Sequence, residues 1–392
     1  MYIGYNEEQE ALRDELRSYY AKLLSPEIVA QLRHDHGVGE TMRSVVRQMG
    51  EDGWLGIGWP KEYGGQGRSL IEQFIFFDES IRIGAPVPML TINSVAPTIM
   101  EYGTDAQKEF FLPKILRGEI HFCIGYTEPG AGTDLASLTT RADKEGDGYV
   151  INGQKVFTSL AGDSDYVWLA VRTNSDVPKH EGLSLFAVDM KTPGISTDPM
   201  DLLSDHDIHT TYYDNVKVPA DALVGGENKG WRLITNQLNH ERVTLCAPGM
   251  LEGVYEETLA WARETKNADG RRVIDEEWVQ VNLARVRTGL EFLRLMNWKV
   301  AWTGTQGRLD VADASAVKVF GTEFYMDSFR YLMEVLGPRG YLAPGSRGVA
   351  VKGHLETLYR GLLILTFGGG TNEVQRDLIG MFGLGLPRAP RV

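Results

Sequence analysis

The pattern of apolar and polar positions divides the chain into three stretches. In the first, Leu12, Leu16, Tyr19 and Leu23 recur at helical spacing behind Asn6, a residue suited to cap a helix. Similar periodicity covers Val45 to Met49, Ile71 to Glu79 and Asp105 to Leu116, with glycine and proline between them. The run from Gly53 to Gly67 is too rich in turn residues for a packed helix and predicts a structural loop. From His121 the period shortens. Runs of β-branched and aromatic residues at His121 to Tyr126, Tyr149 to Ile151, Tyr166 to Val171, Leu183 to Val188 and Thr211 to Val218 predict an antiparallel sheet domain, a small barrel or sandwich. Gly146-Asp147-Gly148 and Asn152-Gly153 supply hairpin turns. After Gly225 to Gly230 the helical period returns in three long stretches, Trp231 to Thr265, Glu276 to Thr303 and Ala312 to Leu336, which predict a bundle. The expected architecture is α+β: a helical domain over 1–120, a β domain over 121–227 and a helical bundle over 228–392.

A chain of 392 residues exceeds the roughly 250 to 300 at which single cores stop growing, in keeping with several domains. The net charge of −13 excludes nucleic acid and anionic membrane as electrostatic partners. Cys123 and Cys246 lie far apart in apolar surroundings, so neither a disulfide framework nor a clustered metal site is expected. The first residues lack the basic and apolar regions of a signal peptide, and no run approaches about 18 apolar residues, so a cytoplasmic location is expected.

Three segments carry candidate chemistry. Tyr126 to Asp134 ends a strand in a glycine-bearing loop whose amides and hydroxyls could hold a polar ring or a phosphate, although such loops also serve as plain turns. Phe157, Thr158 and Ser159 place an aromatic and two hydroxyls in the same domain; Phe157 could also be simple core. In Trp231 to Leu245, the positions Trp231, Ile234, Leu238, Glu241 and Leu245 form one helix face, which puts a carboxylate on an apolar stripe. Desolvation there would raise the pKa of Glu241 and strengthen it as a base; the alternative is an ordinary ion pair with Arg242 or another arginine.

Taken together, these blocks resemble the acyl-CoA dehydrogenase family. The Trp59 to Gly67 loop, Tyr102-Gly103-Thr104, Leu112-Pro113, Gly118-Glu119, the two β-domain segments and Thr366 to Arg376 follow the family's order over essentially the whole chain. The resemblance implies FAD as cofactor, approached by Ile124, Tyr126, Thr127, Gly132, Thr133, Phe157, Thr158, Ser159 and Thr371. It implies α,β-dehydrogenation of an acyl-CoA thioester to the trans-2-enoyl-CoA, with an electron-transferring flavoprotein as the usual acceptor and oxygen in the oxidases. Where many members keep a catalytic glutamate, however, this chain has Gly369. A subset of the family has Glu-Arg on the helix instead, which makes Glu241 the expected base. The Gly369 N–H remains the expected donor to the thioester oxygen, and Arg242, Gly368 and Gly369 are expected at the substrate.

Two further departures bear on assembly. Homotetrameric members lend a neighbour's FAD an arginine followed by an aromatic and a Gln-x-x-Gly-Gly segment. Here the corresponding stretches read Gly270 to Glu277 and Glu334-Val335-Leu336-Gly337-Pro338. Glu334 would bring negative charge toward a diphosphate, and Pro338 lacks an N–H. The chain is also similar to the two-gene acyl-CoA dehydrogenases of actinobacterial steroid side-chain degradation. That similarity implies an α2β2 heterotetramer with a related subunit and a bulky, steroid-bearing acyl group. A non-catalytic supporting subunit and a homotetrameric branched- or long-chain dehydrogenase remain as alternatives.

Overall fold

The computed structural model describes residues 4–204, 207–242, 246–307 and 310–388, with the backbone alone at 238–242. At the N-terminus Asn6 accepts the Gln9 N–H and receives the Gln9 side chain in return, a capping box that starts α1 (Glu7–Leu23). Leu12, Leu16 and Tyr20 form its buried face, while Tyr19 and Leu23 are only partly covered. α2 (Pro26–His34), α3 (Gly39–Glu51), α4 (Leu70–Ile83), α5 (Ala96–Tyr102) and α6 (Asp105–Leu116) follow. In α4, Phe74 to Ser80 are all buried because the helix is packed on α1 and also on two helices of the C-terminal bundle. The Gly53 to Gly67 run is a loop folded on itself: Gln66 N–H donates to Gly56 O at 2.9 Å and Gly67 N–H to Trp59 O at 2.8 Å.

The middle domain is one eight-stranded sheet: β1 (Phe122–Gly125), β2 (Arg141–Glu145), β3 (Gly148–Ser159), β4 (Tyr166–Arg172), β5 (Leu183–Asp189), β6 (Ile195–Pro199), β7 (Ile208–Pro219) and β8 (Leu223–Val224). Strand order is β6-β7-β3-β2-β4-β5-β8, with β1 beside β4. The sheet is mixed rather than purely antiparallel, since β1 and β2 each run parallel to β4. Periodicity missed β2 and β6 because neither buries a regular face; in β2 only Ala142 is inside. Asn152-Gly153 is not a hairpin turn. It lies within the long strand β3 at a register shift against β7, and a side chain at Gly153 would sit 2.7 Å from Thr140 Cα. The β2–β3 turn is at Gly146-Asp147.

The C-terminal part contains α7 (Gly230–Arg242), α8 (Gly249–Glu264), α9 (Glu277–Thr305), α10 (Val311–Leu336), α11 (His354–Leu362) and α12 (Asn372–Leu378). The expected single stretch from Trp231 to Thr265 is two helices, because Pro248 cannot continue α7 and instead precedes α8. α10 is the axis of the bundle, buried nearly all round and packed on α7, α8, α9, α11 and α12. α9 is different. Trp278, Val281, Phe292, Leu295 and Trp302 stand 42 to 57% exposed along one stripe of it, at separations built from steps of three and four. Among the described residues no helix is long and apolar enough to cross a membrane.

One buried ion pair ties the glycine-bearing loop to the sheet. Lys155, fully buried on β3, places Nζ 2.8 Å from Glu128 Oε1 and 3.2 Å from Tyr126 O. Glu128 also accepts the Thr139 N–H at 2.6 Å, the Thr139 hydroxyl at 2.7 Å and the Thr140 N–H at 2.8 Å. Burial pushes the Glu128 carboxyl up, but the Lys155 charge and these bonds outweigh it and hold the group at about 2. Its stabilising contribution is therefore complete above the unfolded value, about 4.3, and is lost as pH falls toward 2. Glu128→Gln is expected to destabilise the fold by about 3 to 5 kcal/mol by leaving a buried cation uncompensated. Glu128→Leu with Lys155→Met should recover most of that loss. Denaturant unfolding at pH 7 and pH 3 checks both: the difference between wild type and Glu128→Gln should shrink at the lower pH.

Candidate active site

The residues singled out in the β domain fall on adjoining segments. Ile124 is on β1, opposite Trp168 of β4. Tyr126 is buried, and its hydroxyl donates to Gln237 Oε1 at 2.5 Å. Thr127 follows, and its carbonyl accepts the Val156 N–H at 2.8 Å, so the loop and β3 move as one piece. Gly132 and Thr133 are exposed beyond it. Neither Gly130 nor Gly132 has a backbone reason to be glycine: both lie outside the left-handed region, and a Cβ would meet nothing within 4 Å at Gly130 and only Thr127 Cγ2 at 3.8 Å at Gly132. The space those Cβ atoms would fill is open for a ligand's close approach.

A bulge in β3 separates Phe157 from its neighbours. The register against β7 slips between Lys155 and Thr158, and Phe157 takes φ +58, a region aromatic residues rarely adopt. The ring is thereby 53% exposed in the middle of a strand, while Thr158 is fully buried with its hydroxyl 3.5 Å from that of Thr211. Of the three candidates, Phe157 and the half-buried Ser159 are open to a bound group; Thr158 turns its side chain into the sheet. Backbone strain of about 1 to 3 kcal/mol that displays an aromatic face is the kind of feature that accumulates at binding sites.

α7 crosses from this region to the bundle. Gln237, fully buried, accepts from Tyr126 and from Trp168 Nε1, the latter at 2.9 Å. Because the indole can only donate, this contact fixes Oε1 toward the sheet and leaves Nε2 buried without a partner among the described residues. One turn further on are Glu241 and Arg242, the last residues of the helix. Their side chains, and residues 243–245, lie outside the described residues. The chain after them is held from three sides: Asn297 Nδ2 donates to Cys246 O at 3.0 Å, the Tyr325 hydroxyl donates to Ala247 O, and Asp78 Oδ1 accepts the Gly249 N–H at 2.6 Å. Burial pushes the Asp78 carboxyl up to about 7.

The glycine loop is held against α10 through Lys318. Gly369 and Gly370 adopt φ +68 and +93, and a Cβ at Gly368 would meet Ile364 O at 3.0 Å. Each glycine thus has a conformational reason of its own, besides any room it leaves for substrate. Thr371 caps α12, its hydroxyl accepting the Val374 N–H at 3.3 Å. Among the described residues the amides of Gly369 and Gly370 have no protein acceptor. Glu334 sits exposed at the end of α10, accepting from Asn282 Nδ2 at 2.9 Å, and Pro338 begins a short 3-10 turn. Arg271 and Arg272 are paired locally with Asp269 and Asp275.

A cavity of about 310 Å³ opens at the start of α7, lined by Thr133, Asp134, Leu135, His180, Trp231 and Arg388. His180 meets the Trp231 ring edge-on at 4.7 Å. Sequence reasoning named Thr133 as a candidate and Trp231 only as a position on the apolar face of a helix, and it named neither His180 nor Arg388, nor the buried Gln237, Lys155 and Lys318. The available signal was a polar side chain on a face otherwise apolar, as in Ala314-Ser315-Ala316-Val317-Lys318-Val319-Phe320.

Three family profiles account for nearly the whole chain: the acyl-CoA dehydrogenase N-terminal domain over 6–119, the middle domain over 123–216 and the C-terminal domain over 228–384. Acyl-CoA dehydrogenase FadE26 of Mycobacterium tuberculosis is 55% identical and FadE29 of the same organism 46%, each covering 100% of both chains. Among solved structures, a chain of the ChsE4-ChsE5 complex from Mycobacterium tuberculosis is 56% identical with a TM-score of 0.93, covering 99% of this chain and 100% of that one. The Tcur3481-Tcur3483 steroid ACAD is 47% identical with a TM-score of 0.94 over the same shares. The chain belongs to the acyl-CoA dehydrogenase family.

Proposed function

We propose that this chain is the base-carrying subunit of a heteromeric, FAD-dependent acyl-CoA dehydrogenase that acts on a bulky, steroid-bearing thioester. The observation that carries the reading is α7. It starts at the cavity with Trp231, is bonded through Gln237 to Tyr126 just after β1, and carries Glu241 in its last turn. Ten residues at 1.5 Å each separate Trp231 from Glu241 by roughly 15 Å, a distance the pantetheine arm spans. Arg388 and His180 at the mouth suit the phosphates of CoA.

The residues present fit FAD. Open Cβ space at Gly130 and Gly132 suits a diphosphate, and the displayed Phe157 ring with Ser159 suits a flat aromatic system. FAD, when bound, supplies the acceptor for the hydride that leaves the β-carbon. The rest is done by the chain. Glu241 removes the α-proton, its basicity raised by the apolar face that α7 presents around Leu233 and Ile234. The Gly369 N–H donates to the thioester oxygen, where charge grows as the proton departs. Arg242 would balance the charge near the base. Two-electron chemistry of this kind needs an onward carrier, for which an electron-transferring flavoprotein is the natural class.

A partner subunit is favoured by the exposed α9 stripe, which runs about 36 Å from Trp278 to Trp302 at 1.5 Å per residue. A lone chain would leave that area in water. The related ChsE4-ChsE5 complex and the Tcur3481-Tcur3483 steroid ACAD support both the heteromer and the substrate class. Glu334 and Pro338 at the half-site lent to a neighbour favour a distinct partner over a second copy.

Three outcomes follow. Glu241→Gln in the flavin-loaded complex should keep its flavin and bind thioester while losing at least about 10³-fold in the rate of anaerobic flavin bleaching; unchanged bleaching would remove Glu241 from the role of base. Phe157→Ala should lower flavin retention on gel filtration, whereas Thr158→Val should not. Flavin absorbance per chain should be low for the protein alone and about one per pair after co-expression with its partner. One flavin per chain in isolation would mean a homomeric enzyme.

A further inference from the structure

The glycine loop is held by side chains with no part in the chemistry described so far. Lys318 lies fully buried on α10 and directs Nζ at Gly370 O, 2.6 Å away, and at Asn372 Oδ1, 2.9 Å away. Asn372 is itself oriented, because its amide donates to Thr322 Oγ1 at 3.0 Å and Glu323 Oε1 at 3.3 Å. Gln375, also fully buried, donates from Nε2 to Gly369 O at 3.4 Å. On the other side of the loop, Gly368 N–H donates to Ile364 O at 2.7 Å.

These bonds have a geometric consequence. A peptide unit is planar, so a held carbonyl fixes the N–H of the next residue in the opposite direction. Gln375 thereby sets the Gly369–Gly370 unit and Lys318 the Gly370–Thr371 unit. The Gly369 N–H belongs to the Gly368–Gly369 unit, which is bracketed by the Gly368 N–H anchored on Ile364 before it and by these two held units after it. Glycines have the widest backbone freedom of any residue, and without the clamp three in a row would sample many orientations. A buried ammonium is a costly way to brace a turn, since its desolvation must be offset by the carbonyls it meets.

We propose that Lys318, with Gln375 as a second arm, is a positioning residue that keeps the Gly369 N–H aimed at the thioester oxygen. The inference rests on the dehydrogenase reading above and extends it, since it assigns the aim of the donor to two side chains that touch neither substrate nor cofactor. The same clamp accounts for the tolerance of glycine at position 369. A loop that has lost a side chain there keeps its shape because its carbonyls, not its side chains, are anchored.

The test uses the flavin-loaded complex and one probe, 3-thiadodecanoyl-CoA, whose β-sulfur blocks hydride loss so that binding and α-proton loss can be read separately. Binding perturbs the flavin band; proton loss adds a long-wavelength band whose pH midpoint reports how well the oxygen is stabilised. Lys318→Met should leave probe affinity within about threefold of wild type and raise the midpoint by at least about one unit, with turnover down roughly 10²-fold, the scale of one misdirected oxyanion donor. Gln375→Met, which leaves the cation in place, should move the midpoint in the same direction by less. It keeps the proposal testable should Lys318→Met fail to assemble. Variants with full flavin and an unmoved midpoint would overturn the clamp, as would a loss confined to flavin content or affinity. A wild-type complex that binds the probe at every pH without the long-wavelength band would overturn the dehydrogenase reading and the clamp with it.

Discussion

The buried pair of Lys155 and Glu128 is the constraint on which the site depends. It joins the glycine-bearing loop to β3 where the sheet must also expose Phe157, and a bulge beside an unanchored loop would let both segments relax. Lys155 is fully buried, so the bond is shielded from salt and water, and its loss would leave a charge with nowhere to go. The Lys155 bond to Tyr126 O carries the same anchor one residue further, to the tyrosine whose hydroxyl meets Gln237 on α7. Sheet, loop and α7 are thus connected by a short run of buried polar contacts.

α10 does the corresponding work on the bundle side. Lys318 and Tyr325, seven residues or two turns apart, lie on nearly one face of the helix. The first grips the glycine loop and the second the segment that follows α7. One helix therefore sets the relation between the segment that follows α7 and the Gly369 loop. Asp78 and Asn297 add anchors from α4 and α9, so Cys246 and Gly249 are held by helices from both helical parts of the chain.

A base on α7 rather than in the C-terminal loop, as proposed, is compatible with this frame. In that proposal the loop's task is to present an N–H, which needs backbone geometry rather than a side chain, and the positive φ at Gly369 and Gly370 is natural to glycine. Glu241, by contrast, lies in the last turn of α7, so its place in the chain is set by a helix and not by the loop.

Much of this was legible in the chain itself. Helix, sheet and helix follow from changes in hydrophobic period, and the start of α1 from Asn6. Those features depend on neighbours within one or two turns, which a sequence displays directly. The parallel partners of β1 and β2, the bulge that turns Phe157 outward and Thr158 inward, and the insertion of Asn152-Gly153 within a strand were decided by the tertiary structure, because strand pairing is set by residues far apart in the chain. So were the roles of Lys155, Gln237, Lys318 and Gln375. Each is a polar side chain in an apolar run, and only the partner brought to it by folding, 27 residues away for Lys155 and 52 for Lys318, distinguishes an anchor from a surface charge.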